Sequence, residues 1–231
     1  DGVAVVSAIF AKDNIEEAAK GLLALSKEMT EAKPEIKKVL SIAGTDPTGG
    51  AGAQADLKTI TVHKLYGMSV ITSLVAQNTM GVYDVIDTPP EFVAKQLDCV
   101  FQDIRPDAVK IGMVSNSKII DVIVDKLNEY KAENIVVDPV MVSTSGGKLL
   151  SDEACEALIT KLLPLGAVIT PNIPEAEVLC GFEIRNTDDM IRAAEKISKL
   201  VDGGILIKGG HLVSTATDLL YQNGEITWFS S

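Results

Sequence analysis

Apolar and polar positions alternate along this chain between two periods. Residues 3–9, VAVVSAI, form a short β-branched apolar run that predicts a buried strand. Residues 14–29 switch to a helical period, with Ile15, Ala18, Leu22, Leu23 and Leu25 on one face. Asn14 is placed to cap that helix, and Glu16 and Glu17 fall in its first turn. Residues 30–37 are polar, broken by Pro34, and read as a linker. Beyond them the pattern predicts strands at 39–43, 69–76, 108–111, 135–138, 167–170 and 204–208. Helices are predicted between them at 51–65, 90–102, 117–130, 151–163, 174–179 and 188–200. Residues 82–87 read as a short excursion and 139–149 as a loop. Residues 219–222 and 225–229, joined by Asn223-Gly224, form a hairpin signal.

Such alternation, with continuously apolar strands, predicts an α/β domain whose mostly parallel sheet is covered on both faces. Ligands of these sheets bind beyond the carboxyl ends of the strands. Polar residues just after a strand therefore rank above those on helix flanks.

Five clusters satisfy that rule. Residues 41–58, SIAGTDPTGGAGAQADLK, place Gly44, Gly49, Gly50 and Gly52 between a strand and a helix. Glycines admit positive φ and close backbone approach, but no Lys-Ser/Thr follows, so this is not a Walker loop. Spacing alone leaves a structural turn and a ligand cradle equally open. Gln77 follows a strand and offers a carboxamide, which reads an aminopyrimidine edge or simply bonds backbone. Asp138, before Pro139, either orders a metal-bound water and a phosphate or initiates a turn. Asn172 and Glu175 have the spacing of a helix cap, and equally of a site for Mg²⁺ and phosphate. Lys208 ends an apolar strand before Gly209-Gly210, which suits either a phosphate neutraliser or a solvated lysine. His211 reads as polar filler or a ligand contact, and His63 as a structural helix residue.

Charge and cysteines narrow the class. The 231-residue chain carries a formal net charge of −11, which argues against nucleic-acid binding. No apolar run approaches a membrane span, and no secretory leader is visible. Cys99, Cys155 and Cys180 lack disulfide or metal spacing, so a reducing, cytoplasmic setting is expected.

Six strings occur in one order: AGTDPTGGAGAQADLKT, VITSLVAQNT, VKIGM, VVDPVM, LLPLGAVITPNIPEAEVL and KGGH. Together they resemble the hydroxymethylpyrimidine/phosphomethylpyrimidine kinase family of thiamine biosynthesis, from residue 37 to about 229. The resemblance implies a ribokinase-like three-layer α/β/α fold with a mostly parallel central sheet. It also implies transfer of the ATP γ-phosphoryl group, with Mg²⁺, to 4-amino-5-hydroxymethyl-2-methylpyrimidine and then to its monophosphate. Carried over by motif, Gly44, Asp56, Gln77 and Met113 surround the pyrimidine. Asp138, Asn172, Glu175 and Lys208 surround the phosphates and Mg²⁺, Glu175 as a metal ligand and Asp138 through water. Lys208 and Asp138 are the catalytic candidates.

The family also carries a Gly-Thr-Gly-Cys motif that opens a C-terminal helix. Its N–H groups form an anion hole, and its Cys is the proposed base. This sequence ends at Ser231 without it, so the expectation is a domain lacking the catalytic helix, either a fragment of an active enzyme or inactive alone. Residues 1–9, DGVAVVSAI, resemble the last strand of thiamine-phosphate synthase, with Val6 and Ser7 at its phosphate position. The expected organisation is a synthase remnant (1–29), a linker (30–37) and a kinase domain (38–231). Expected partners are the pyrimidine and ATP, with neither nucleic acid nor membrane, and the excursion at 82–88 is available to pair subunits of a homodimer. Rival readings are a pyridoxal or pyridoxine kinase and a non-catalytic pyrimidine-binding module.

Overall fold

The computed structural model describes residues 36–141, 150–210 and 217–230. The chain divides into two compact units, Asp1–Ile36 and Lys37–Ser231. The strand and helix expected before residue 30, the linker up to residue 35, Val6, Ser7 and His211 lie outside the described residues.

The second unit is built on β1 (Lys38–Ala43), whose residues Leu40 to Ala43 are buried because sheet neighbours and both covering layers surround them. Around it lie β2 (Tyr66–Ile71), β5 (Ala108–Ile111), β6 (Ile135–Val137), β7 (Val168–Ile169) and β8 (Gly204–Ile207). These six strands run parallel in the order β8-β7-β6-β5-β1-β2. The hairpin β9 (Thr217–Gln222) and β10 (Glu225–Ser230) extends the β8 edge antiparallel. The mostly parallel α/β architecture is as expected.

The covering helices show why their segments are helical. In α1 (Gly52–Val62) Ala53 and Ile60 are buried. In α2 (Pro90–Asp103), Pro90 occupies the first turn, where its missing N–H costs nothing, and Val93, Leu97 and Phe101 recur every fourth residue toward the core. In α3 (Ser117–Glu129), Asn116 accepts from Lys118 N, and Ile119, Ile120, Ile123 and Leu127 are buried. Ser151 caps α4 (Asp152–Ala157), Asn172 caps α5 (Ile173–Cys180) and Asn186 caps α6 (Thr187–Ile197). None of the described helices is long and apolar enough to cross a membrane.

Two expectations need correction. The single helix over 151–163 is α4 followed by a widened π turn, Leu158–Leu162, and a tight 3₁₀ turn, Leu163–Leu165. Pro164 has no N–H to continue an α-helical ladder, and the chain closes differently around it. The single strand over 69–76 is two strands. β2 stops at Ile71, because its partner β1 has ended at Ala43. Thr72 turns the chain out of the sheet: its N–H donates to Ala43 O (3.1 Å) and its hydroxyl to Met113 O (3.0 Å). β3 (Ser73–Asn78) then pairs with β4 (Gly81–Asp87) as a separate antiparallel ribbon, with a bulge between Ala76 and Gln77. The excursion at 82–87 is thus the second strand of that ribbon.

Candidate active site

The parallel strands deliver their carboxyl ends to one rim. Gly44 follows β1, Gly112 and Met113 follow β5, Asp138 follows β6, and Lys208 follows β8. Asn172, the cap of α5, is bridged to Lys208 in parallel register. Asp56 comes from α1, and the β3–β4 ribbon adds Val75, Gln77, Val82 and Val85. Together they line a cavity of about 810 Å³. All eight candidates from the kinase-like part of the sequence lie on its wall: Gly44, Asp56, Gln77, Met113, Asp138, Asn172, Glu175 and Lys208.

One half of the cavity is shaped by the Gly-rich turn. A Cβ on Gly44 would lie 2.9 Å from Ser73 Oγ and 3.1 Å from Met113 Cε, so the close approach requires glycine. Asp46, only 3% exposed, organises the turn. Its carboxylate accepts from Thr48 N (2.9 Å), Thr48 Oγ1 (2.8 Å), Gly50 N (3.0 Å) and Ala51 N (2.8 Å). The Gln77 carboxamide also donates to it. With Thr48 and the Ala51 N–H, that bond holds the carboxyl well below the usual carboxylate range, against the opposing effect of burial. Gln77 lies inside the ribbon strand β3, at the bulge, and not after a strand of the main sheet as expected. A bulge re-aims the side chain beyond it, and this one brings Gln77 to the cavity wall and to Asp46.

The low Asp46 pKa sets an acid dependence. The stabilisation is complete above the ordinary aspartate pKa of about 4 and fades as pH falls below it. An Asp46→Asn variant is expected to have a lower urea midpoint than the unsubstituted chain at pH 7. The gap should narrow as pH drops toward about 2. A gap that is constant with pH would contradict this origin.

The other half is ionic. Lys208 Nζ donates to Asp138 Oδ1 at 2.8 Å, and Thr170 Oγ1 donates to the same oxygen at 3.1 Å. Asp138 Oδ2 has no protein partner among the described residues. Asn172 and Glu175 form a reciprocal capping box: Glu175 N donates to Asn172 Oδ1 (2.9 Å), and Asn172 N donates to Glu175 Oε2 (2.8 Å). The capping reading of these two residues is therefore realised, although both also line the cavity. Glu175 is 2% exposed, and burial pushes its carboxyl above the usual range.

The family model described as phosphomethylpyrimidine kinase matches residues 46–231. The chain belongs to the phosphomethylpyrimidine kinase family. A similar solved structure is phosphomethylpyrimidine kinase from Clostridium difficile 630, with 51% identity, TM-score 0.80 and 84% of each chain covered. The pyridoxal kinase from Staphylococcus aureus, solved with AMP-PCP, is 36% identical with TM-score 0.78, covering 86% of this chain and 73% of that one. The thiamine biosynthesis bifunctional protein ThiED of Geobacter sulfurreducens is 43% identical over 100% of this chain and 47% of its own length. The chain thus spans about half of that relative. The fold is the ribokinase-like α/β architecture of these kinases.

Within this kinase-family fold, sequence reasoning did not single out Asp46 and Lys110, which line the cavity, or Ser41, which stands behind Asp56. Asp46 was only one polar residue in a Gly-rich loop. Ser41, 0% exposed, and Lys110 both donate to Asp56 Oδ2, at 2.6 and 3.0 Å. The available signal was polarity out of place. A serine and a lysine interrupt strands that are otherwise apolar, and a buried polar side chain needs a partner.

Proposed function

We propose that this chain binds 4-amino-5-hydroxymethyl-2-methylpyrimidine and ATP side by side for phosphoryl transfer to the pyrimidine alcohol, and then to its monophosphate, in thiamine biosynthesis. The observation that carries the reading is the division of this cavity. A half that presents acceptors, an amide and a thioether, its carboxylates already held by protein donors (Gly44, Asp56, Gln77, Met113), adjoins a half that presents a lysine among carboxylates and a helix cap (Lys208, Asp138, Asn172, Glu175). In this reading Gln77, one of whose N–H groups is held by Asp46, turns its remaining donor and its carbonyl oxygen to the aminopyrimidine edge. Lys208 neutralises the phosphates where the γ-phosphoryl group passes to the alcohol oxygen and ADP leaves. The donor set suits Mg²⁺, which takes one or two carboxylates and fills its shell with water and substrate phosphate. Asp138 Oδ2 would hold it, directly or through water. Glu175 is committed to its helix cap by Oε2, so it stands behind this position rather than leading it. Bound there, the ion would offset phosphate charge.

The test is calorimetry on the chain itself. Gln77→Ala should weaken pyrimidine binding about tenfold, the worth of a hydrogen-bonded pair, and leave AMP-PCP binding within about twofold. Equal losses on the two ligands would sink the assignment. Displacement of the pyrimidine by pyridoxine at comparable concentration would favour the pyridoxal kinase reading instead, which the similarity to the S. aureus enzyme keeps in play.

The likeness to the bifunctional protein runs over the whole chain and supports reading residues 1–29 as the end of a synthase domain, with Val6 and Ser7 at its phosphate position and 30–37 as a linker. A second copy of the chain is the partner we place on the β3–β4 ribbon. Leu74, Tyr83 and Ile86 are 56, 69 and 63% exposed there, on two strands that are marginal without further packing. Sedimentation should show a dimer that Tyr83→Glu with Ile86→Glu converts to monomer. A monomeric unsubstituted chain would refute the assignment.

A further inference from the structure

Lys110 is the only charged residue of β5, between Val109 and Ile111, which are buried in the core. Successive strand residues point to opposite faces, and Lys110 points to the face that α1 covers, where its Nζ meets Asp56. A lysine loses rotamer freedom and hydration in such a place, so its position calls for a partner and a purpose. The path it takes is built. A Cβ on Gly112 would lie 2.9 Å from Lys110 Nζ and 3.2 Å from Ala43 Cβ, so glycine leaves the lysine tip room that a larger residue would take by pushing it aside.

Three elements converge at the end of that path. Ser41 of β1 donates its hydroxyl to Asp56 Oδ2 at 2.6 Å, and Lys110 of β5 donates to the same oxygen at 3.0 Å. Neither bonds Oδ1, which has no hydrogen-bond donor among the described residues. A carboxylate has two equivalent oxygens and an almost two-fold torsion about its last bond. Two donors on one oxygen remove that freedom. What remains for a ligand in the cavity is a single acceptor, aimed by protein groups that do not need to touch the ligand.

We propose that Lys110 is a positioning residue for substrate. With Ser41 it fixes Asp56 so that Oδ1 accepts from an N–H donor of the bound heterocycle, such as the exocyclic amine of an aminopyrimidine. The inference rests on the reading of the cavity as a pyrimidine site and adds a residue behind it. It also accounts for the Lys-Ile-Gly run at 110–112, with the lysine as the prop and the glycine as the gap it passes through.

A double-mutant cycle tests it, with Lys110→Met, Asp56→Asn and the double variant, each titrated with hydroxymethylpyrimidine and with AMP-PCP. Lys110→Met should bind the pyrimidine about tenfold more weakly, the loss of one charge-assisted bond in a mostly shielded pair, and AMP-PCP within about twofold. In the Asp56→Asn background the same replacement should cost nothing further, because the lysine acts only through that carboxylate. Additive losses would show that Lys110 meets the ligand itself and would overturn the proposal. So would an unchanged pyrimidine affinity, or equal losses on both ligands. Should Lys110→Met fail to fold, Lys110→Leu, which also lacks a donor, takes its place in the same cycle. If the unsubstituted chain binds pyridoxine and not the pyrimidine, the substrate reading fails but the cycle runs on pyridoxine, and non-additivity there supports the prop. Binding of neither heterocycle would overturn both.

Discussion

Lys208→Met is expected to reduce AMP-PCP affinity by roughly 30- to 100-fold, about 2–3 kcal/mol, while pyrimidine affinity changes by less than about threefold. Two effects add. The ammonium proposed to face the phosphates is removed, and Asp138, which it neutralises at 2.8 Å, becomes an uncompensated negative charge where the anionic ligand is placed by that proposal. Coulomb's law allows about 4 kcal/mol for such a pair at an effective dielectric constant near 20. The lysine side chain is 40% exposed and its partner 24%, so solvent screening reduces that figure. The two contributions can be separated. Adding Asp138→Asn to Lys208→Met should restore part of the affinity in metal-free buffer, because it removes the repulsion. Isothermal titration of the four proteins decides it. Pyrimidine losses as large as the nucleotide losses would mean that Lys208 supports the cavity as a whole, and would count against its assigned role.

Gly52→Ala is expected to destabilise the chain by about 3 kcal/mol and lower its melting temperature by roughly 6–12 °C. Gly52 opens α1 with φ +58°, a left-handed conformation that costs other residues about 1–2 kcal/mol. Its Cβ would also lie 2.5 Å from Gly44 O, which accepts from Ala53 N at 3.0 Å. The methyl group must therefore push apart the bond that ties the Gly-rich turn to the helix. Asp46 N lies 3.3 Å from the same point, so the cavity wall moves with it, and pyrimidine affinity should fall in parallel. Gly50→Ala is the control. Its Cβ would make ordinary contacts of 3.7 and 3.8 Å with Asp46 Oδ2 and Thr48 Oγ1, and its stability should stay within about 0.5 kcal/mol of the unsubstituted chain. A melting temperature for Gly52→Ala within about 2 °C of the unsubstituted chain would refute the steric account.

Much of the fold was legible because its signals are local. Every fourth residue of α2 and α3 is apolar, β6 and β8 are short continuous apolar runs, and β1 and β5 are mostly apolar runs interrupted by Ser41 and Lys110. The break at Thr72 was not legible. Residues 69–76 contain no Gly or Pro, and threonine favours strands, so the run reads as one strand. It divides because β1 stops offering backbone partners at Ala43, a fact about another segment, whose last residue lies 29 positions before Thr72. The end of α4 is different in kind: Pro164, a local signal, cannot continue an α-helical ladder, and the turns before it widen and then tighten.

The cavity divides along the same line. Chain order by itself determined that Gly44, Met113, Asp138, Asn172 and Lys208 sit at or near strand ends, and a parallel α/β sheet collects its strand ends on one rim, whereas Gln77 reaches the wall on the separate β3–β4 ribbon. That rule and the family motifs together brought all eight candidates to one wall. The tertiary structure alone decided which of them are held, and by what. Asp46 takes Gln77, Asp138 takes Lys208, and Asp56 takes Ser41 and Lys110. Each of these pairs joins residues 15 to 70 positions apart. No periodicity spans such a distance, because hydrophobic spacing reports which face is buried and carries no record of what a buried charge will meet.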